Sequence, residues 1–595
     1  MYRKTLCILL LLSLLLGGCS RETPENPSQA TPPNVTGTPQ SAVTDITQFF
    51  TDRDLSGSYT EAQSTLILFS EEEVAGSSSA VHISGTAVTI TQEGTYILRG
   101  SARNGSVTVS APKDAKVQLV LDGVDLSCED DAPIRVLQAD KVFLTLAPNS
   151  QNSLANGGSF TGGVENGVDA VVYSKEDLTL NGSGSLCITS PAGHGIACKD
   201  GLTITGGTYE ITTSAHGISG KDSVCICAAT VTIAAGKDGI QAEHDEDAAL
   251  GYVYILDGMY HIDAQGDGIS ASSWLQIDGG TYEILTGGGY LNGEDHVSDN
   301  WGNMGGRPGG MGGGGRPGGR SAATDTAEDS SSIKGLKAGT DLFLNGGSFS
   351  IDSADDGIHS DGNVAVAGGV FLVSSGDDAV HAEDTLSVSG GDITISHSYE
   401  GLEGLNIAVS GGKISITSSD DGINAAGGTD ASGFGGNRND PFGGGFGMGG
   451  ASNGSITVSG GETFIFAGGD GIDSNGSLTM SGGKLTIHGP TTGDTAVLDY
   501  DTTATISGGT FIGTGAMMMA QTFSASENQG LISVSVGGNV PAGTQITLTD
   551  AGGNTVLTVT PDQNFAIVIL STPQIVKGDN YTVTIGTASG TFRAE

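Results

Sequence analysis

Through the middle of the chain, apolar residues alternate with polar ones on both sides of a glycine pair. In Leu202–Ile211, Leu275–Ile284 and Leu342–Ile351 the apolar side chains stand two and four positions before the first glycine and two and four after the second. A period of two predicts short β-strands on either side of a turn, and Gly-Gly supplies backbone angles there that a Cβ would forbid. The template starts again at Val364, Leu386, Ile407, Ile456, Leu478 and Ala504, and more loosely at Val224 and Val253. Its second glycines Gly347, Gly369 and Gly391 are spaced by 22, and Gly412 follows 21 later. About ten residues before the pair, Asp-Gly-Ile at Asp238, Asp267, Asp356, Asp421 and Asp470 marks another corner and a third strand.

A repeat of about 22 residues with three short strands and no helical period predicts a solenoid in which each strand pairs with its counterparts in the coils above and below. The expected fold is all-β: a right-handed parallel β-helix of some twelve coils, roughly 60 Å long at about 4.8 Å per coil. Ile196, Ile218, Ile240, Ile269, Ile358, Val380, Leu402, Ile423 and Ile472 would form one inward ladder. Weaker copies at Val117–Leu121 and Val142–Leu146 place the first coils before residue 160, with a capping region around residues 60–110. Low-complexity stretches at 287–332 and 427–453 read as disordered inserts. The resulting division is a β-helix over 43–522 and a small C-terminal β domain over 523–595.

The N-terminus carries Arg3-Lys4, an apolar run from Leu6 to Leu16 and then Gly17-Gly18-Cys19. The run is too short to span a bilayer. The order predicts a lipoprotein signal peptide over 1–19, with Cys19 acylated and the mature protein held on the extracellular face of the cell membrane; an ordinary signal peptide with a chance cysteine is the alternative. Residues 20–42, rich in Pro, Ser, Thr, Asn and Gln, read as a disordered tether. A net charge of −43 argues against nucleic acid, because phosphate binding needs clustered Lys and Arg. It points to cations or neutral surfaces instead, and a monomer is expected. Past Cys19 the chain has Cys128, Cys187, Cys198, Cys225 and Cys227, an odd number with no stacked pair, which predicts free thiols and a reducing or anaerobic habitat.

The runs AKVQLVLDGVD at 115–125, YSKEDLTLNGSG at 173–184, Asp238-Gly239-Ile240 and GYVYI at 251–255 resemble the bacterial carbohydrate-binding β-helix family over most of residues 60–590. The resemblance implies a pectate-lyase-like fold, bound calcium, and cell-surface binding of cellulose or of acidic, polygalacturonate-type polysaccharide. His194-Gly195-Ile196 and His216-Gly217-Ile218 depart from the acidic corner typical of that family. A carboxylate cation site in those two coils is therefore in doubt.

The residue before each Gly-Ile corner forms a column: His194, His216, Asp238, Asp267, Asp356, Asp378, Glu400, Asp421 and Asp470. Counting outward from the inward residue adds Asp356/His359/Asp361 in one coil and Asp378/His381/Glu383 in the next. Carboxylates about 5 Å apart repel by roughly 3 kcal/mol at an effective dielectric of 20. Ca²⁺ would offset that, since it takes six to eight oxygens in loose geometry. The candidate metal ligands are thus Asp238, Asp267, Asp356, Asp361, Asp378, Glu383 and Asp421, with Glu243 and Asp245 of the acidic insert 243–247. The doubled acids at 355–356, 377–378 and 420–421 strengthen the case, although Asp also favours such a turn merely as a solvated residue. The insert could equally be a solvated charge run. His359 and His381 read as stacked surface histidines rather than ligands of a transition metal.

Tyr209, Tyr260, Tyr282, Phe349, Phe371 and Phe511 fall in the inward register. Tyr252 and Trp274 lie five positions before the turn in successive coils, and are either a sugar-stacking pair or corner packing. A lyase would need a cationic base, for which only Lys199, Lys221 and Lys237 stand near one corner. A hydrolase could use paired aspartates such as 355–356 and 377–378. Binding without catalysis is the favoured expectation, with lyase or hydrolase action on pectin and a structural adhesion role as alternatives.

Overall fold

Three ladders of parallel strands run the length of the molecule in the computed structural model, which describes residues 45–76, 78–293, 332–425, 454–490 and 495–595. One ladder holds the strands before the glycine pairs, such as Gly201–Ile204, Ser223–Ile226, Tyr252–Ile255 and Leu275–Ile277. The second holds the strands after them, such as Thr208–Thr213, Thr230–Ala235, Met259–Ala264 and Thr281–Thr286. The third holds the corner strands, such as Ile218–Gly220, Ile240–Ala242 and Ile269–Ala271. This is the parallel β-helix that the period implies. The signal peptide, Cys19, the tether and nearly all of both glycine-rich inserts lie outside the described residues.

The inward ladder runs in register from Ile196 through Ile218, Ile240, Ile269, Leu336, Ile358, Val380, Leu402 and Ile423 to Ile472. Every one of these side chains is buried in a single continuous core. An inner file of rings joins them: Tyr260, Tyr282, Phe349 and Phe371 stack face to face at 4.7, 4.5 and 4.7 Å. The two glycines of a pair serve different needs. At Gly347 φ is +104°, open mainly to glycine, whereas a Cβ on Gly346 would stand 2.7 Å from the Asp278 carbonyl oxygen of the coil before.

The first parallel pairing joins Thr65–Phe69 to Gly94–Arg103, so coils already occupy the region expected to be a cap. Residues 45–64 form no coil. They lie lengthwise as a strap over the outer side of the pre-glycine ladder. Phe49 stacks on Tyr254 at 4.5 Å, the Arg53 guanidinium sits 4.4 Å from the Phe143 ring centre, and Tyr59 packs on Ile97 and Val120. Asp54, buried in the middle of the strap, pairs with Lys141 at 2.9 Å and accepts from Thr179 Oγ1 at 2.6 Å.

At the other end, Thr510–Gly515 pairs antiparallel with Phe565–Ser571, which also pairs with Leu531–Val540. A separate four-stranded antiparallel sheet and its own small core complete this end. The arrangement covers the open strand edge that a solenoid would otherwise expose.

Candidate functional site: paired columns at the corner

Because the corner strands stay in register, each residue before Gly-Ile stands over its counterpart. The carboxylate also has a structural task, since it accepts the backbone N–H of the column residue in the next coil. Asp238 Oδ1 takes the Asp267 N–H at 2.8 Å, Asp267 Oδ1 that of Lys334 at 2.7 Å, Asp356 Oδ1 that of Asp378 at 3.0 Å, and Asp421 Oδ1 that of Asp470 at 2.5 Å. His194 serves in the same way through Nδ1, which lies 3.3 Å from the His216 nitrogen. The two imidazoles stack at 5.0 Å, and burial pushes His194 down to about 4.

A second column rises beside the first, three residues further along each coil: Gln241, Ser270, Lys337, His359, His381, Glu403, Asn424, Asp473 and Asp499. The first column contains a member that the Asp-Gly-Ile motif does not reveal. Lys334, in a Lys-Gly-Leu corner, sits between Asp267 and Asp356. Its Nζ lies 3.1 Å from Asp355 Oδ2 and 2.7 Å from Asp356 Oδ2.

These cations change the environment of four candidate ligands. Asp356 and Asp378 are buried rather than outward, as are His359 at 4% exposure and His381 at 1%. The histidines stack at 4.8 Å as expected, but inside the protein. Residues 287–293, expected to be disordered, form an ordered turn in which Tyr290 donates its N–H to Asp352 at 2.7 Å and its ring lies 4.5 Å from His397. His359 bridges Asp356, at 2.7 Å from Nδ1, and the half-exposed Asp361, at 2.9 Å from Nε2. Burial pushes the Asp356 carboxyl up, but Lys334 and His359 outweigh it and hold the group well below the usual carboxylate range. His381 Nδ1 lies 3.2 Å from Asp378 and 2.5 Å from Glu403 of the next coil. Glu403 thus fills the place expected for Glu383, because the next coil stacks directly on His381.

Further along, no cation enters either column among the described residues. Asp421, Asp470 and Asp473 each offer a carboxylate oxygen, all within 4.8 Å of one another. Burial and the neighbouring acids push Asp470 up to about 7 and Asp473 to about 6, and hold Glu400 and Asp421 well above the usual range. Asn424, in register between Glu403 and Asp473, gives its amide N–H to Glu400 at 2.8 Å, while its buried Oδ1 has no hydrogen-bond partner among the described residues. Lys413 and Lys484 lie on the post-glycine ladder in register with Glu462, away from this corner. The oxygen set fits a hard divalent cation, which tolerates irregular geometry. Asp355, Asp356 and Asp377 form another acidic group that could hold a metal, as do Asp378, His381 and Glu403.

The other candidates are dispersed. Asp238, Asp267 and Glu243 line a single cleft with Lys237 and Lys337. Asp245 is exposed, on a turn that His244 caps by accepting the Asp247 N–H at 2.9 Å. Tyr252 and Trp274 stack at 4.5 Å and 6°, but they are half-buried and Phe49 lies 6.0 and 6.1 Å from them. The strap therefore makes them part of a packed aromatic cluster with Tyr254, not an open platform. Cys128, Cys187, Cys198, Cys225 and Cys227 are all free thiols.

The molecule is thus a parallel β-helix with two files of largely polar and acidic side chains along one corner. A family model described as carbohydrate-binding domain-containing protein matches residues 84–379 and 378–547, and the chain belongs to that family. Over 159 residues, 26% of its length, it is 32% identical to a carbohydrate-binding domain-containing protein of Acetivibrio thermocellus. The match spans 56% of that relative, so the chain covers about half the length of the curated protein it resembles. A solved structure of a polysaccharide lyase-like protein from C. thermocellum, a gadolinium derivative, aligns at TM-score 0.37 and 31% identity over 38% of this chain and 92% of that one.

Proposed function

We propose that this carbohydrate-binding protein holds an acidic, polygalacturonate-like polysaccharide through calcium, from the outer face of the cell membrane to which Cys19 anchors it as a monomer. The observation that carries the calcium assignment is the cation-free stretch of the paired columns, where Asp421, Asp470 and Asp473 converge beside the unpartnered Asn424 oxygen. Calcium there would supply a positive centre with coordination to spare for a sugar carboxylate. Among the described residues, no helix is long and apolar enough to cross a membrane.

Pull-down of the mature protein on polygalacturonate, with calcium or with a chelator, tests the proposal. Binding should depend on calcium and should fall at least tenfold in the variant Asp421→Asn/Asp470→Asn/Asp473→Asn. Retention unchanged by the chelator would sink the calcium bridge. Release of unsaturated ends, followed by absorbance, would replace the binder with a lyase.

A further inference from the structure

Lys237, Lys337, Gln241, Gln265, Asp238 and Asp267 border a cleft of about 590 Å³ at the corner, well away from the cation-free stretch. The carboxylates around it already have donors. Asp238 Oδ1 takes the Asp267 N–H at 2.8 Å, Asp267 Oδ1 the Lys334 N–H at 2.7 Å, and Glu243 Oε2 the Gln241 amide at 2.7 Å. The ammonium groups are less well matched. Lys237 forms no salt bridge among the described residues, and Lys337 comes only to 3.9 Å from Asp267 Oδ2. By contrast Lys141, Lys199 and Lys484 each hold a carboxylate at 2.9, 3.0 and 2.6 Å. Asp238, Glu243 and Asp267 outnumber the two lysines around this space, but neither ammonium is held in a close ion pair, so each keeps donors for a charge-assisted hydrogen bond to an incoming anion. The Gln265 amide adds a donor and an acceptor suited to hydroxyls.

We propose that this cleft is a metal-independent subsite for a sugar carrying one negative group, either a carboxylate or a sulfate ester. Lys237 and Lys337 hold the anion, and Gln265 holds a hydroxyl of the ring. The inference rests on the polysaccharide-binding function proposed above, and it adds a second point of contact. Five coil steps separate Asp267 from Asp421, about 24 Å at the spacing of stacked strands, so a polymer can engage both places and a monosaccharide only one.

Calorimetric titration in chelator, where the calcium contact is silent, tests it with three trisaccharides: galacturonate, sulfated galactan and neutral galactan. At least one anionic trisaccharide should bind, and which one identifies the group recognised. Lys237→Gln and Lys337→Gln should each weaken it tenfold or more, Lys237→Arg should restore most of the affinity, and Asp421→Asn/Asp470→Asn/Asp473→Asn should leave it unchanged. Equal binding of the neutral trisaccharide, no binding of either anion, or affinity unmoved in both glutamine variants at an unchanged melting temperature would overturn the subsite. Calcium-dependent retention on polygalacturonate would then still stand, so the two proposals fail separately.

Discussion

From Asp267 to Asp361 the paired columns are threaded with cations, Lys334, Lys337 and His359, whereas from Glu400 to Asp499 they hold none among the described residues. The backbone is the same in both stretches, and in each some column carboxylates accept the N–H of the next coil, Asp267 and Asp356 in the first and Asp421 in the second. What differs is the source of compensating charge. An internal ammonium closes the first stretch around Asp355 and Asp356. The second stretch is left to draw on protons or divalent ions from solution. The histidine at the junction, His381, shares itself between Asp378 and Glu403.

The largest effect should come from emptying the closed stretch. Lys334→Met strands Asp355 and Asp356 without their shared cation, and breaking such a buried pair costs about 3–5 kcal/mol, measurable by chemical denaturation. A loss below 1 kcal/mol would mean that the two stretches do not differ in the way described. Next comes calcium. A ligand at one hundred times its Kd adds about 2.7 kcal/mol to the folded state, and this increment should vanish in Asp421→Asn/Asp470→Asn/Asp473→Asn but persist in Lys334→Met. An increment that survives the triple substitution would move the ion elsewhere.

The pH response should be opposite in sign for the two stretches. Asp470 and Asp473 titrate higher in the folded chain, at about 7 and 6, than in the unfolded chain, near 3.9. Their protonated forms therefore favour folding below pH 4, and that contribution is lost as pH rises through 6 to 7. Asp356, held low by Lys334 and His359, contributes above pH 4 and loses its contribution as pH falls further. In chelator, the unfolding free energy should thus drop between pH 5 and 8 by about 1–2 kcal/mol, one pKa unit being about 1.4 kcal/mol before discounting for partial exposure. Saturating calcium should flatten the slope, and a flat profile in chelator would contradict it. The smallest effect belongs to the strap: Phe49→Ala should cost about 1–2 kcal/mol, below the range for a fully buried Phe, and leave the calcium increment untouched. Acrylamide quenching of Trp274 fluorescence should rise with it.

How much of this can be read from sequence depends on whether a residue belongs to the repeat. A spacing of 22 puts Ile358 over Leu336 and Asp378 over Asp356 whatever else the chain does, so the inward ladder and the first column follow directly. The second column obeys the same arithmetic, and its distal members Asp473 and Asp499 can be found by counting three residues on from each corner. Lys334 escapes because its corner spells Lys-Gly-Leu and follows a glycine-rich insert of low complexity, which hides the coil it opens. The strap escapes for a deeper reason. Phe49 meets Tyr254 and Trp274 across some two hundred residues, and a segment without a period carries no mark of where on a periodic surface it will settle. The burial of Tyr252 and Trp274 was unreadable for that reason.

The strap also fixes where the chain enters its own fold. Phe49 lies beside Trp274, midway along the rod, and the chain then runs back past Phe143 toward Ile97 before the first coil begins. Tension on the leading end would therefore be taken up first by Phe49, Phe50 and Asp54, dragged sideways across several coils at once rather than prying one coil from the next.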